Sequence, residues 1–497
     1  MPLRDKFALA LVVSIALLAS GCGGGASGMG TSPTPTPTPS AANEWTWESG
    51  SETAGAMGVY GTQGVASTSN VPGARSGAVS WTDASGNLWL FGGHGYDSTG
   101  AVGDLNDLWE FNPSTKEWTW VGGSSTASIY GGPIQLGVYG TQGIASTSNI
   151  PGPRDSSVAW TDSSGNFWLF GGEGYTSPTT FGSFNDLWEF NPLTKEWTWV
   201  SGSSSAGASG IYGTQGVAST SNVPGARGSG GDGAAQGWID QSGNLWLFGG
   251  YGYDSTGRAG LLNDLWKFSP STKEWTWVSG SQTANAVGVY GTQGVVSAAN
   301  VPGARGLAVA WTDKSGNFWL YGGIGYGASM TNYDLNDLWE FNPSTKEWTW
   351  VSGSDTGGVV PSYGTLGVAS AGNTPGGRDS AVSWTDSSGN LWLFGGFDYD
   401  SATGANGTNE YLNDLWEFNM TTKEWTWMGG SNTGNANGVY GTLGTPAASN
   451  VPGARGSEGV PVAWTDNSGN FWLFGGDGCG ATGTSCSLLN DLWRYQP

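Results

Sequence analysis

A single histidine, His94, stands in the whole chain. Copper and zinc centres built from several imidazoles are thereby excluded, and a His-based catalytic triad or dyad is disfavoured. Cysteine is almost as scarce, with three residues, and none has the Cys-x-x-Cys spacing of a zinc or redox motif. Charged residues make up only 11% of the chain, and 39 acids against 17 bases leave a formal net charge of -22. Nucleic-acid phosphates need a basic face, so that class of partner falls away. What is abundant is glycine and tryptophan, 88 and 30 of 497 residues. Glycine follows no G-X-Y period, which excludes collagen. Tryptophan at this density does not belong to a disordered chain, which lacks the apolar area to offset chain entropy. A length prior suggests about three domains, unless the chain is a repeat.

The first residues read as a targeting signal. Arg4 and Lys6 precede an apolar run at 7–18, broken only by Ser14. The run is too short for a bilayer span, which needs about 20 residues. It ends in Leu18-Ala19-Ser20-Gly21-Cys22, small residues before a cysteine, as in a cleaved secretory signal. The segment resembles a bacterial lipobox, with Ala19 where that family usually has Leu. The resemblance implies cleavage before Cys22 and diacylation of that residue, hence a lipoprotein of the outer membrane or cell surface. An ordinary signal with a chance cysteine is the alternative. Residues 22–42, Gly-rich and then Thr-Pro repeated, predict a tether. Cys479 and Cys486 share one Gly-rich loop, and in an oxidising compartment a local disulfide is the simplest reading.

The remainder, 43–497, is one pattern written six times. Asn-Asp-Leu-Trp begins at Asn106, Asn185, Asn263, Asn336, Asn413 and Asn490, at spacings of 79, 78, 73, 77 and 77. Residues 106–121 recur unchanged at 336–351. All 30 tryptophans belong to the pattern, so they are a repeat feature rather than one site. Each copy predicts four short strands, which in copy one are a (76–82), b (87–91), c (107–112) and d (117–121). Strand b, with Leu88, Trp89, Leu90 and Phe91, is apolar on both faces, as a strand between sheets must be. Strand d alternates Glu117, Trp118, Thr119, Trp120, the pattern of a half-buried outer strand. Gly92-Gly93 after strand b allows close backbone approach.

Four-stranded sheets repeated about an axis predict a β-propeller. The apolar strand ending in Gly-Gly, then Asn-Asp-Leu-Trp, then a turn and Trp resembles the Kelch repeat. Kelch periods are about 50 residues; the excess here lies in long d–a loops. The chain ends after strand c of copy six, and the missing strand d is found at Glu44-Trp45-Thr46-Trp47. The expected fold is therefore all-β, a six-bladed propeller closed by its N-terminal strand, which removes an open edge.

Antiparallel order places the tight a–b and c–d turns on one face and the long b–c and d–a loops on the other. The long-loop face is the candidate for function. Pro-Gly-x-Arg supplies Arg75, Arg154, Arg227, Arg305, Arg378 and Arg455, six of nine arginines. Around a funnel they could grip a carboxylate or phosphate bidentately. Alternatively each pairs with an acid of the repeat, such as the Asp of Asn-Asp-Leu-Trp, because a buried arginine needs a partner. Symmetry breaks mark further candidates: insertions bring Asp232 and Glu458, the d–a loop before copy two gains six residues around 131–136, and His94 and Arg258 are unrepeated. Asp155 and Asp379 follow their arginines directly. Tyr96-Asp97, Tyr253-Asp254 and Tyr399-Asp400 could help bind Ca²⁺, although no EF-hand spacing is present; no other cofactor or metal is expected.

Three functions fit these residues. One is a lipid-anchored monomeric binding module for a glycan or protein, touching the membrane only through its lipid. Another is an enzyme. Galactose oxidase shares the Kelch-like fold, but its two-Tyr, two-His copper site with a Tyr–Cys crosslink cannot be rebuilt from one histidine. The six-bladed N-acetylneuraminate epimerase is a nearer family resemblance; it implies an anionic sugar in an arginine-lined funnel with Glu458 or Asp232 as acid or base. The last is a structural surface protein or adhesin kept soluble by its charge.

Overall fold

The computed structural model describes residues 42–228, 233–398, 410–456, 460–482 and 486–497. Among the described residues there is no helix. The signal, the tether and Cys22 lie outside them, as do Asp232, Glu458, Tyr399 and Asp400.

The repeat folds as its alternation dictates. In copy one, strands Val79–Thr82, Leu88–Phe91, Leu108–Asn112 and Glu117–Gly122 pair antiparallel in that order. The same order recurs in the sheets of the other copies. Strand b is buried at every position, and strand c is buried except at the two positions that face outward. Strand d is only partly buried, as an outer strand should be. In the sheet of copy six the fourth strand is Glu44–Ser49, from the start of the described chain. It pairs antiparallel with Ser487–Gln496, and Trp45 lies opposite Tyr495.

Neighbouring sheets pack face to face through tryptophan. The strand-a indole of one copy donates to a strand-b carbonyl of the next: Trp81 to Trp168, Trp160 to Trp246, Trp311 to Trp392 and Trp384 to Trp472. Trp464 of copy six donates to the Trp89 carbonyl of copy one at 3.0 Å. Each apolar cluster mixes two consecutive copies, and one joins Leu88, Leu90 and Trp118 to Trp464, Trp472 and Leu492. Lysines of the c–d turns add cation–π contacts across the same joints, with Lys195 4.3 Å from the Trp89 ring and Lys273 4.8 Å from Trp168. The strands a of all the copies line one central space.

The double glycine corrects the expected end of strand b. The chain does not pass into a free loop there. In copy four strand b runs on to Tyr326 and strand c begins at Asn332, with a register shift between Tyr321 and Gly323. In copies five and six strand b likewise runs on past the double glycine, to Asp398 and Gly478. In copy one the same extension is a small separate sheet of Arg75–Ser76, His94–Tyr96 and Val102–Asp104. Glycine makes the bulge possible: Gly92 has φ +69°, and a Cβ there would sit 2.7 Å from the Arg154 carbonyl of the next copy.

Candidate functional site

The repeated arginines do not line an open funnel. Each is buried and held by the aspartate of its own Asn-Asp-Leu-Trp. In copy one Arg75 grips Asp107 with both terminal nitrogens, Nη1 to Oδ1 at 2.6 Å and Nη2 to Oδ2 at 2.7 Å. The same Oδ2 accepts the Tyr60 hydroxyl at 2.6 Å and the Trp109 indole at 2.7 Å. Two further guanidinium protons, on Nε and Nη1, go to the Gly73 and Gly92 carbonyls. Tyr139, Tyr212, Tyr290, Tyr363 and Tyr440 repeat the contact on their own aspartates. Burial, then the nearby carboxylate, pushes the Tyr60 hydroxyl far above its ordinary value, so it stays a proton donor. Pro-Gly-x-Arg, Asn-Asp-Leu-Trp and a tyrosine repeated in every d–a loop thus form one four-residue lock that ties that loop to strand c. A ligand carboxylate would have to displace a bidentate aspartate to reach any of these arginines.

The Tyr-Asp-Ser aspartates are engaged in the same way. Asp97 accepts from the Thr99 amide and hydroxyl, the Ala101 amide and the Ala127 amide. Burial pushes its carboxyl up, but those bonds outweigh burial and hold it below the ordinary aspartate value. Asp254 repeats the arrangement with Thr256, Arg258 and Ala284. Both loops are stapled by N–H donors and present no open carboxylate pair. Arg258 itself is exposed on that turn. Cys479 and Cys486 are joined as a disulfide within their loop.

Open chemistry gathers elsewhere on the long-loop face, in a cavity of about 710 Å³ where copies six, one and two meet. Its wall carries His94, Asp104, Asp155, Glu173 and Asp477, with Tyr130, Tyr175 and Phe181 as apolar surface. His94 and Asp104 are cross-strand neighbours, and Nδ1 lies 2.9 Å from Oδ1. Asp155 and Glu173 are cross-strand neighbours in the next copy. The hydrogen bond to Asp104 raises the His94 pKa, burial opposes it, and the charges of Asp104, Asp155 and Glu173 add to the rise. Burial, then Asp104 and Glu173, lifts the Asp155 carboxyl well above the ordinary range, against the pull of His94. Tyr175 meets Phe181 edge to face at 4.9 Å between ring centroids. No lysine or arginine lines the cavity among the described residues.

One of the insertions borders this cavity. The added residues before copy two fold back on Gln135, whose side chain bonds Ser124 and Thr126. Ser128 then pairs with the backbone of Asp104, and the turn brings Ile129 and Tyr130 to the wall. Of the residues singled out in sequence, His94, Asp155 and the disulfide-bonded Cys486 reach the cavity. Asp104, Glu173 and Asp477 were missed. The signal for two of them was the residue after each double glycine: His94, Glu173 and Asp477 in three successive copies, Tyr251, Ile324 and Phe397 in the others.

No family model matches the chain. Part of it is 29% identical over 156 residues to the N-acetylneuraminate epimerase of Escherichia coli O139:H28, and 28% identical over 156 residues to N-acetylneuraminate epimerase 2 of Escherichia coli O6:H1. Each match spans 28% of this chain and 38% of the relative's length. A solved structure described as that of YjhT aligns over 86% of this chain and 96% of its own, with 16% identity and a TM-score of 0.48. The fold is an all-β propeller. Its partial relatives are sugar enzymes by name, and the propeller's polar cavity lies on the face that carries its long loops.

Proposed function

We propose that this chain is an exported, lipid-tethered Kelch-type propeller of six blades that binds a carbohydrate in the cavity between blades six, one and two. Closure by the N-terminal strand is supported by the pairing of Glu44–Ser49 with Ser487–Gln496 and by the Trp464–Trp89 contact. The observation that carries the binding role is the convergence of carboxylates and aromatic rings on one cavity of about 710 Å³. Carboxylates accept hydrogen bonds from sugar hydroxyls in short, charge-assisted geometry. Tyr130, 85% exposed, and Phe181 offer ring faces for the apolar side of a pyranose. The wall favours neutral or amino sugars over acidic ones, because four carboxylates line it and no lysine or arginine does among the described residues. The test is an array of neutral, amino and sialylated glycans probed with the full-length protein, followed by Glu173→Gln and Tyr175→Ala. Binding of neutral or amino glycans that both variants weaken is expected. Binding confined to sialylated glycans, no sugar binding, or variants without effect would overturn the assignment.

A second reading, sugar epimerisation, is favoured by the partial match to the curated epimerases. His94 and Asp155 would then be the acid–base pair, both within the cavity. It ranks second because the arginines that an anionic sugar needs are locked on aspartates, while the acidic wall repels a sugar carboxylate. Turnover of N-acetylneuraminate, followed by nuclear magnetic resonance, decides between the two.

A further inference from the structure

We propose that His94, Asp104 and Asp155 form a binding site for a first-row divalent cation at the floor of the sugar cavity. The three side chains come from separate segments and two copies of the repeat, yet their ligand atoms all lie within 4.8 Å of one another. His94 Nδ1 and Asp104 Oδ1 are 2.9 Å apart. Metal–ligand bonds of roughly 2.1 Å span an edge of about 3.0 Å at right angles and about 3.4 Å in a tetrahedron, so a cation that replaced the shared proton would open this pair only slightly. Asp155 closes the third corner from the next copy. The remaining positions open into the cavity, which has room for water or sugar hydroxyls.

Three further observations support the site. No other copy carries the full set: the position of His94 is Tyr251, Ile324 or Phe397 in three other copies, that of Asp155 is Gly228, Gly306 or Gly456 in three and Asp379 in copy five, and that of Asp104 is Asp334 in copy four. Packing does not require the three together, since no other copy has them all. Glu173 stands opposite Asp155 in its hairpin and Asp477 shares the wall, so four carboxylates surround one imidazole with no lysine or arginine among the described lining residues. A cation relieves that repulsion. The donor set chooses the metal. An imidazole with two carboxylates suits Zn²⁺, Mn²⁺ or Co²⁺, whereas Ca²⁺ takes six to eight oxygens.

The inference rests on the cavity being the sugar site, and the experiment separates the two. Full-length protein stripped with a chelator is titrated with Zn²⁺ by calorimetry, and with Co²⁺ by visible absorption. One site per chain is expected, with visible bands of bound Co²⁺ that His94→Ala removes. His94→Ala and Asp155→Asn, each checked for an unchanged melting temperature, are expected to weaken Zn²⁺ binding by more than the roughly 10–100-fold typical of losing an outer partner of a ligand. A variant that melts early is replaced by His94→Gln or Asp155→Ser. Absence of binding, or binding that survives both substitutions, overturns the cation site. Glycan binding measured in the chelator reports separately on the sugar reading.

Discussion

Replacing Asp107 with Asn removes one charge and almost no volume, and it tests the lock beneath the loop face. Arg75 and Asp107 are both 0% exposed, and the carboxylate accepts four donors between 2.6 and 2.7 Å. The substituted amide would leave the guanidinium buried without its counter-ion and would turn an NH₂ group toward donors that need an acceptor. Breaking a buried pair from one side costs about 3–5 kcal/mol. Tyr60→Phe removes a single hydrogen bond to a charged acceptor and costs about 1.5–3 kcal/mol. The order Asp107→Asn worse than Tyr60→Phe is therefore expected. The double variant Arg75→Met, Asp107→Leu should recover much of the loss, because an apolar pair leaves no buried charge. Urea unfolding followed by tryptophan fluorescence measures this as a midpoint shift at constant slope. An Asp107→Asn protein within about 1 kcal/mol of the parent would refute the argument, since the cost of an unpaired buried charge is well above that. The arginines give the complementary test: Arg455→Ala should lower stability, whereas a ligand-gripping arginine would lose binding at unchanged stability.

Trp45 sits among Trp384, Phe394, Trp493 and Tyr495. Trp45→Ala should cost about 3–5 kcal/mol and expose the C-terminal strand to protease, and a protein as stable and resistant as the parent would argue against ring closure. The disulfide between Cys479 and Cys486 closes a short loop, so Cys486→Ser should cost at most about 2.5 kcal/mol by the loop-entropy relation, read by thermal melting with and without reductant. Burial raises the carboxyls of Glu110, Glu340 and Glu417 above their ordinary value. A raised carboxyl favours the fold when protonated, so that contribution is present at acid pH and lost as pH rises through the folded pKa. Changing all three to Gln should stabilise the fold at pH 7 by under about 1 kcal/mol each, read as a higher melting temperature, with the gain vanishing below about pH 4; a gain that persists there would contradict the sign. Cys22→Ser should release the protein from the membrane fraction, and retention would count against the lipid anchor.

The fold was legible because a repeat states its own constraints many times. Leu88 to Phe91 had to be a strand covered on both faces, and it is. The motif spacing placed Asp107 at the head of strand c, but only the folded chain brought Arg75 and Tyr60 to it across 32 and 47 residues. Both roles of the arginine were open in the sequence, because a guanidinium suits a ligand and an aspartate equally well. The cavity was less legible. Asp104 and Glu173 look like ordinary loop acids until the bulge at the double glycine extends strands b and c past their expected ends.

Local pattern alone therefore determined which segments are strands, which faces are apolar and how often the unit recurs, since those follow from side-chain period and backbone preference within a few residues. Tertiary structure decided which polar groups meet. Whether a charge faces water, a ligand or a buried partner depends on chain segments far apart in order, and their distances exist only once the sheets have packed.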